Sequence, residues 1–323
     1  MEDIVFVVAI TGLCIKGLVG YGLVTCVILK HWKHFLSNSF YILIVSLTIP
    51  DCATLFTVMT YVAPAAAVGA EKFGISVPML YTLLEGFVYT CSWTIQISIL
   101  LAVSINRFIA IMSRHRCFSG FGKITTTVVI VCSYSWGLLW STSLYQCGCT
   151  FCVPDYAWIW QCDSNLTCST VLQSIDLADA YSKTIIITAA YTCVYCRLRY
   201  ISHKRLQFQR SIMVISRREK VMALEFGLVC LILTIYVSLF CILPLVPDAT
   251  GLPVGVVSKI LTVSCILNSG LRPWLYLLAN SDLRRKLQAA VFGVRSKSPF
   301  SRSCKSTGML RECNFELKLM MKD

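Results

Sequence analysis

The chain has 323 residues, of which 56% are hydrophobic and only 14% are charged. This balance excludes an ordinary soluble domain, which must cover its surface with polar groups, and it indicates that a lipid bilayer is the solvent. The formal net charge is +13. Nucleic acid is not an expected partner, because binding it would require a soluble basic face.

Seven apolar stretches are long enough to cross a hydrocarbon core, which takes a helix of about 20 residues. In chain order they cover residues 4–29, 40–62, 79–105, 124–144, 180–196, 221–246 and 255–278. We expect each to be a helix, because backbone groups in lipid must be satisfied within the segment and alternating barrel strands are absent. The predicted fold is therefore all-α, a bundle of seven transmembrane helices. No internal repeat is present, which weakens a transporter alternative.

The basic residues predict the orientation, because Lys and Arg are retained on the cytoplasmic side of membrane proteins. With the N-terminus outside, 24 of the 29 Lys and Arg fall in cytoplasmic segments, most of them in the loop 197–220 and in the tail from Arg284. We expect a multi-pass plasma-membrane protein with its N-terminus outside and its C-terminus in the cytoplasm. The acidic start of the chain is not that of a cleavable signal peptide, so the first helix is expected to act as a signal anchor.

A short amphipathic helix is predicted after the seventh stretch. Ser281 and Asp282 are typical of a helix cap, and Leu283 and Leu287 would share a face opposite the basic segment 284–286. We expect this helix at the inner membrane surface, closing a membrane domain over residues 1–292. A basic, disordered juxtamembrane tail is the alternative. Residues 293–323 are rich in Ser, Lys and Arg and are expected to be a disordered cytoplasmic tail.

The second outer loop, about residues 145–179, concentrates cysteines on the oxidising side of the membrane, where disulfides are favoured. The five are Cys147, Cys149, Cys152, Cys162 and Cys168. Because five is odd, at most two bridges close within the loop. A metal site on the first three lacks a nearby His and is the less favoured alternative. Asn165-Leu166-Thr167 in the same loop is a glycosylation sequon.

Two motifs resemble those of rhodopsin-like G-protein-coupled receptors. Asn106-Arg107-Phe108 is similar to the family's Asp-Arg-Tyr at the inner end of helix three, and the segment 267–276, with Arg272-Pro273-Trp274-Leu275-Tyr276, resembles its Asn-Pro-x-x-Tyr in helix seven. Weaker matches lie at 46–51 in helix two and at 241–244 in helix six, where the family's Trp is missing. The resemblance spans about residues 10–290.

Within that family, four features are similar to nematode Srx-type serpentine chemoreceptors. They are Asn106-Arg107-Phe108, the segment 118–125, the outer loop with Cys147 and the segment 156–160, and the exit from helix five at Arg197. The resemblance implies a receptor in which an extracellular small molecule or peptide favours an open inner face that catalyses nucleotide exchange on a heterotrimeric G protein. A ligand-gated channel or transporter, or a non-signalling receptor relic, are the alternatives.

The resemblance also implies residues for coupling and activation. Arg107 would meet the G protein, with Asn106 and Phe108 beside it, while Glu225 either holds Arg107 in the resting state or faces the inner loops. The matched positions in helices six and seven are Pro244, Pro273 and Tyr276.

Several positions depart from the family. Its disulfide between helix three and the second outer loop has no counterpart, because no Cys lies between Tyr61 and Tyr89 and Cys91 is too deep. The loop cysteines are therefore expected to pair among themselves. Tyr21 stands where the family's helix one has Asn.

Charged side chains inside the apolar stretches are costly in lipid, so we expect each of them to have a partner or a function. In the family, the position of Asp51 binds sodium with groups from helices three and seven, and Gln96, Asn268 and Ser269 occupy the matching positions here. The adjacent helix-seven Asn is replaced by Arg272, so we expect its guanidinium to pair with Asp51 and take the cation's place. Alternatively, Arg272 reaches toward the inner surface alone. For Lys16, in the middle of the first stretch, the sequence indicates no partner.

A ligand pocket would open outward between helices three, five, six and seven. Helical spacing places Glu85, Tyr89, Trp93 and Gln96 on one stripe of helix three. Tyr89 and Trp93 are the leading pocket candidates, with Glu85 at the rim, and ordinary packing is the alternative. Leu245 and Thr262 are further candidates from helices six and seven.

The sequence argues against cofactor chemistry and enzymatic activity. The opsin lysine position holds Ile266, and all four His (His31, His34, His115 and His203) lie in or beside cytoplasmic segments, which disfavours a haem or zinc site in the membrane. We find no nucleophile with a base and no acidic pair with catalytic spacing. No cofactor, no metal and no catalytic residue are therefore expected.

Overall fold

The computed structural model describes residues 2–36, 38–68, 79–112, 120–152, 159–162, 167–207, 217–242 and 254–292. The predicted seven stretches correspond to helices, which we number span 1 to span 7. Span 1 is α1 (Glu2–Lys30), and the short α2 (Trp32–Phe35) follows it. Span 2 consists of α3 (Ser39–Thr57), a π-helical turn (Val58–Val62) and α4 (Ala63–Val68).

The remaining spans follow in chain order. They are α5 (Met79–Met112) as span 3, α6 (Lys123–Gln146) as span 4, α7 (Thr167–Gln207) as span 5, α8 (Arg217–Ile242) as span 6, and α9 (Val254–Gly270) with α10 (Arg272–Ala279) as span 7. The final helix is α11 (Ser281–Phe292).

Four of the described helices are long and apolar enough to cross a membrane by length and composition: Asp3–Lys30, Ser39–Val68, Leu80–Met112 and Lys123–Gln146. Large hydrophobic side chains on these helices point outward. Ile4, Val8, Ile124 and Leu139 are each about two-thirds exposed or more. Exposed apolar surface on this scale would aggregate in water and is satisfied by lipid.

Span 5 is longer than its apolar window. Its 41 residues make a helix of about 60 Å at 1.5 Å per residue, twice the thickness of a hydrocarbon core of about 30 Å. The window 180–196 covers only its middle. The helix therefore continues beyond the bilayer at its ends, where hydropathy gives no signal.

Prolines mark irregularities in two spans. Pro50 lies inside α3, and its carbonyl oxygen accepts hydrogen bonds from Thr54 Oγ1 at 3.0 Å and from Gln96 Nε2 at 3.2 Å. In span 7, α9 ends at Gly270 and α10 begins at Arg272, immediately before Pro273. Because proline has no N–H to continue the ladder, the helix is interrupted there, and Arg272 stands at the break.

Spans 1 and 7 approach each other closely through glycines. A β-carbon on Gly17 would lie 2.9 Å from the Cα of Gly270 and 2.7 Å from a methyl carbon of Leu55. Larger residues would force the helices apart. This contact places the polar residues of span 7 next to those of spans 1 and 2.

The start of α11 differs from the prediction in its cap. The helix begins at Ser281, so its N-cap is Asn280, whose side-chain oxygen accepts from Leu283 N at 3.2 Å. Ser281 and Asp282 are already inside the helix. Residues up to Arg284 belong to one compact unit and Arg285 begins a second. The predicted disordered tail, 293–323, lies outside the described residues.

The loop between spans 4 and 5 contains a hairpin that was not expected from the sequence. Strands β1 (Cys149–Cys152) and β2 (Ile159–Cys162) pair antiparallel, with Cys149 opposite Cys162 and Cys152 opposite Ile159. Gly148, with φ of +71°, makes the turn that leads from span 4 into β1.

Candidate functional site

A buried ion pair lies in the middle of the bundle. Arg272 Nη1 donates to Asp51 Oδ1 at 2.5 Å, and the side chains are 1% and 0% exposed. The second guanidinium nitrogen, Nη2, donates to Asn268 Oδ1 at 2.9 Å. The pairing expected from the sequence is thus present, and it joins span 2 to the break in span 7.

Tyr21 supplies a further donor to the same carboxylate. Its hydroxyl donates to Asp51 Oδ2 and also lies 2.9 Å from the carbonyl oxygen of Ser269. The phenol reaches across from span 1, so it makes the polar contact between spans 1 and 2 at the position where the family has Asn. Asp51 is therefore held by one charged and one neutral donor.

These residues do not form a sodium shell. Gln96 Nε2 donates to Thr54 Oγ1 at 2.8 Å and to the Pro50 carbonyl, instead of facing Asp51. Ser269 contributes its backbone carbonyl to Tyr21. The positive charge beside Asp51 is the Arg272 guanidinium, which compensates the carboxylate at the position that a cation would take. Within the described ranges, no group of three or more His, Cys, Asp and Glu could hold a metal ion.

Two of the predicted pocket residues face spans 6 and 7. The hydroxyls of Tyr89 and Tyr236 lie 2.9 Å apart, and the Tyr89 hydroxyl is 3.3 Å from Cys265 Sγ. The Trp93 ring packs edge-on against Tyr236 at 5.2 Å between centroids. We call Tyr89, Trp93, Tyr236 and Cys265 the aromatic cluster. Tyr236 and Cys265 belong to no motif, so no sequence pattern pointed to them.

The other predicted pocket residues lie elsewhere. Thr262 is buried in span 7, one helical turn before Cys265. Glu85 turns toward span 2, where Thr60 Oγ1 donates to its carboxylate at 3.3 Å. Leu245 and Pro244 lie outside the described residues. The single stripe predicted on span 3 therefore contacts two different sets of helices.

Near the C-terminal end of span 3, Arg107 is buried beneath an aromatic ring. Its guanidinium carbon lies 3.8 Å from the centroid of the Phe40 ring in span 2, a distance typical of a cation–π contact. Phe108 is half-buried, and Pro273 and Tyr276 are buried in span 7. Glu225 lies in α8, but its side chain is outside the described part of the structure.

Asn106 has a neutral amide side chain, so it forms no ion pair with the adjacent Arg107. Its Oδ1 accepts from the backbone N–H of Phe121 at 2.9 Å, and the carbonyl of Phe121 accepts from Ser39 Oγ. The segment that enters span 4 is thereby fastened to spans 2 and 3. Gly120, with φ of +90°, makes the turn immediately before it.

Two lysines within the spans have partners that the sequence did not reveal. Lys16 Nζ lies 5.8 Å from the centroid of the Trp274 ring, and the Trp274 Nε1–H donates to the Lys16 carbonyl at 3.2 Å. Lys259 Nζ forms an ion pair with Asp3 at 2.8 Å. Both contacts join span 1 to span 7.

The loop between spans 4 and 5 contains one cysteine that is in a disulfide and two free cysteines that lie close to each other. Cys149 is in a disulfide, while Cys147 and Cys168 are free and Cys168 Sγ lies 3.9 Å from the carbonyl oxygen of Cys147. The hydrogen bond between the Cys147 and Cys168 side chains favours the protonated Cys147 thiol and raises its pKa. The side chains of Cys152 and Cys162, and the whole of Asn165, lie outside the described residues.

The comparisons with known proteins agree with this architecture. The chain is similar to squid rhodopsin in its crystal structure, with a TM-score of 0.66 and 15% sequence identity over 91% of this chain and 87% of that one. At that identity the likeness shows the fold alone, and it confirms the predicted all-α bundle of seven transmembrane helices. No curated protein sequence matches the chain.

The comparison with protein families shows to which family the chain belongs. The family model described as serpentine type 7TM GPCR chemoreceptor Srx matches residues 6–249, well over half of the chain. The matched range contains the Asp51, Arg107 and Tyr89 regions described above. The chain therefore belongs to the Srx family of serpentine seven-transmembrane G-protein-coupled chemoreceptors.

Proposed function

We propose that this chemoreceptor lies in the plasma membrane with its N-terminus outside, and that an extracellular small molecule or peptide binds in the outer half of the bundle. Binding favours an inner face that is open at Arg107 to a heterotrimeric G protein. In this orientation Asn165 faces the exterior, where it is glycosylated, and the excess of basic residues in the inner loops faces the cytoplasm.

The observation that carries the proposal is the aromatic cluster. It joins spans 3, 6 and 7 through two hydroxyls and a thiol, with distances of 2.9 and 3.3 Å. Convergent polar groups among buried aromatic rings are typical of a small-molecule site. A ligand that replaced these hydrogen bonds would change how spans 6 and 7 pack on span 3.

Span 3 provides the connection to the inner face. Tyr89 and Arg107 lie on the same unbroken helix, 18 residues or about 27 Å apart along its axis. A rigid helix transmits displacement over that length, so a change at the cluster reaches the Arg107–Phe40 contact. Release of Arg107 from the Phe40 ring would present its guanidinium to the G protein.

The test is guanine-nucleotide exchange on a purified heterotrimeric G protein in membranes that contain the receptor, stimulated by a panel of small odorants and peptides. Arg107→Ala should abolish the exchange, while Lys30→Ala, at the exposed inner end of span 1, should retain it. A stimulus-evoked ionic current without nucleotide exchange would favour the channel or transporter instead. Exchange that is unaffected by Arg107→Ala would contradict the role of Arg107.

The orientation has its own test. Asn165→Gln should abolish a glycosidase-sensitive shift in gel mobility, and an epitope at the C-terminus should be reached by antibody only after permeabilisation of the cells. Labelling of that epitope on intact cells would contradict the proposed topology.

A further inference from the structure

A cavity of about 420 Å³ lies between spans 1, 2 and 3, away from the aromatic cluster. Leu18, Phe56, Leu84 and Val88 supply apolar walls, and Glu85 supplies a carboxylate. We call this cavity the Glu85 cleft. Its volume lies within the range of sites that hold small organic ligands, about 300 to 1,000 Å³.

The carboxylate in this cleft is nearly buried and has only neutral neighbours among the described residues. Glu85 is 8% exposed. Thr60 Oγ1 donates to it at 3.3 Å, which is long for a hydroxyl donor, and the Tyr81 hydroxyl is its other polar contact. The ion pairs that the described residues form are Lys183–Asp179, Lys259–Asp3 and Arg272–Asp51. None of them includes Glu85.

An ionised carboxylate in apolar surroundings is costly unless a cation neutralises it. Asp51 shows how the same bundle meets that need elsewhere, with a guanidinium at 2.5 Å. At Glu85, no described residue supplies such a cation. A ligand with an ammonium group would supply the charge, and its hydrocarbon part would match the apolar walls.

The position of the cleft indicates how such a ligand enters. Phe56 and Leu84, at its edge, are 54% and 56% exposed on the apolar flank of the bundle, so the opening faces lipid. A second cleft of about 250 Å³ shares Ala53 and Val88 with the first. It continues along spans 2, 3 and 4 and is lined chiefly by apolar side chains. This gives room for an alkyl chain beyond the charged end.

We propose that the Glu85 cleft binds a free lipophilic amine, with the ammonium group at the Glu85 carboxylate and the hydrocarbon part along spans 2 and 3. The inference rests on the proposed receptor function only for the signal that binding would produce. Occupancy of the cleft is a property of the bundle itself and is measured without a G protein.

The experiment measures thermal unfolding of the full-length receptor in maltoside micelles, which contain no amine. Octylamine and octanol have the same chain and differ in charge. Octylamine should raise the Tm by a few degrees at saturation, as ligands specific for the folded state do, and octanol should not. Glu85→Gln should abolish the shift, and Asp3→Asn, which removes a carboxylate from a different site, should retain it.

A second variant protects the test against misfolding of Glu85→Gln. Ala53→Leu leaves the carboxylate in place and narrows both clefts, so it should reduce the octylamine shift at least several-fold. Equal shifts from octanol and octylamine, or a full shift in Glu85→Gln, would overturn the proposal. A shift with phosphatidylethanolamine but not with octylamine would assign the site to a lipid headgroup and would overturn the free amine. Loss of nucleotide exchange with octylamine binding intact would contradict only the proposed signalling function.

Discussion

The side-chain oxygen of Asn106 lies where a β-carbon on Gly120 would have to be, at 1.9 Å from that ideal position. The same oxygen accepts from the N–H of Phe121 at 2.9 Å. The residue beside Arg107 thus fastens the entry to span 4, and the glycine is what lets the amide come close. In the rhodopsin-like pattern, an acidic residue occupies this position.

We predict that Gly120→Ala lowers the free energy of unfolding by more than about 1 kcal/mol. The alanine would have an unfavourable positive φ, and it would displace the Asn106 amide from Phe121. Gly122→Ala is the matched control, because a β-carbon there meets nothing within 4 Å. Thermal unfolding of the two purified variants is the measurement, and equal losses would show that the contact with Asn106 is unimportant.

The Asp51–Arg272 pair leads to a second prediction. Removing either partner leaves a charge buried without compensation, at a cost of about 3 to 5 kcal/mol, so Arg272→Ala and Asp51→Asn should each abolish surface expression. Asp51→Asn combined with Arg272→Gln should partly restore it. Equal loss in the single and double variants would refute the pairing.

A matched comparison comes from a more exposed pair. Asp3 and Lys259 are 50% and 29% exposed, and pairs of this kind contribute about 0 to 1 kcal/mol. Asp3→Asn and Lys259→Gln should therefore be expressed at the cell surface. The contrast separates the effect of burial from the mere loss of an ion pair.

A third prediction concerns sodium. The Arg272 guanidinium already neutralises the Asp51 carboxylate. A sodium ion that approached Asp51 would therefore be repelled by the guanidinium. Exchange of NaCl for KCl or choline chloride at constant ionic strength should leave the Tm unchanged. A sodium-specific rise in Tm that disappears in Asp51→Asn would contradict this prediction.

A fourth prediction concerns the outer loop. Cys147 and Cys168 lie side by side at the end of span 4 and the start of span 5, in a compartment that we expect to be oxidising. In protein from the cell surface we expect them to form a disulfide, worth about 3 kcal/mol for a loop of this length. Peptide mapping without reduction should find the bridge. Alkylation of both thiols in surface-expressed receptor would contradict it, and Cys168→Ser should leave Cys147 open to alkylation.

The sequence predicts the fold because its strongest signals extend over long segments and depend only on whether residues are apolar or charged. Seven apolar windows and the placement of basic residues need no knowledge of contacts. Asp51 and Arg272 could be paired in advance, since two opposite charges in apolar helices have few other solutions. The hairpin of Cys149–Cys152 and Ile159–Cys162 could not, because four-residue strands carry no such signal.

The candidate site shows the corresponding limit. Glu85 and Tyr89 are one turn apart on span 3, yet Glu85 contacts span 2 and Tyr89 contacts spans 6 and 7. Two residues that are four apart on a helix differ in direction by about 40°. This difference is enough for them to face two different neighbouring helices. Which neighbour packs there depends on Tyr236 and Cys265, whose positions follow from the assembled bundle.

The π-helical turn at Val58–Val62 lies between the two halves of span 2. Asp51 and the span 2 residues that line the Glu85 cleft precede it, and Thr60, which donates to Glu85, lies within it. One residue added to a helical turn rotates everything beyond it by about 100°. The rotation sets the direction of Thr60 and the outer residues independently of Asp51. A relative that lacked this one residue would keep the ion pair and present different side chains to Glu85. Insertion or deletion of one residue in this turn would therefore change the side chains around Glu85 and leave the Asp51–Arg272 ion pair in place.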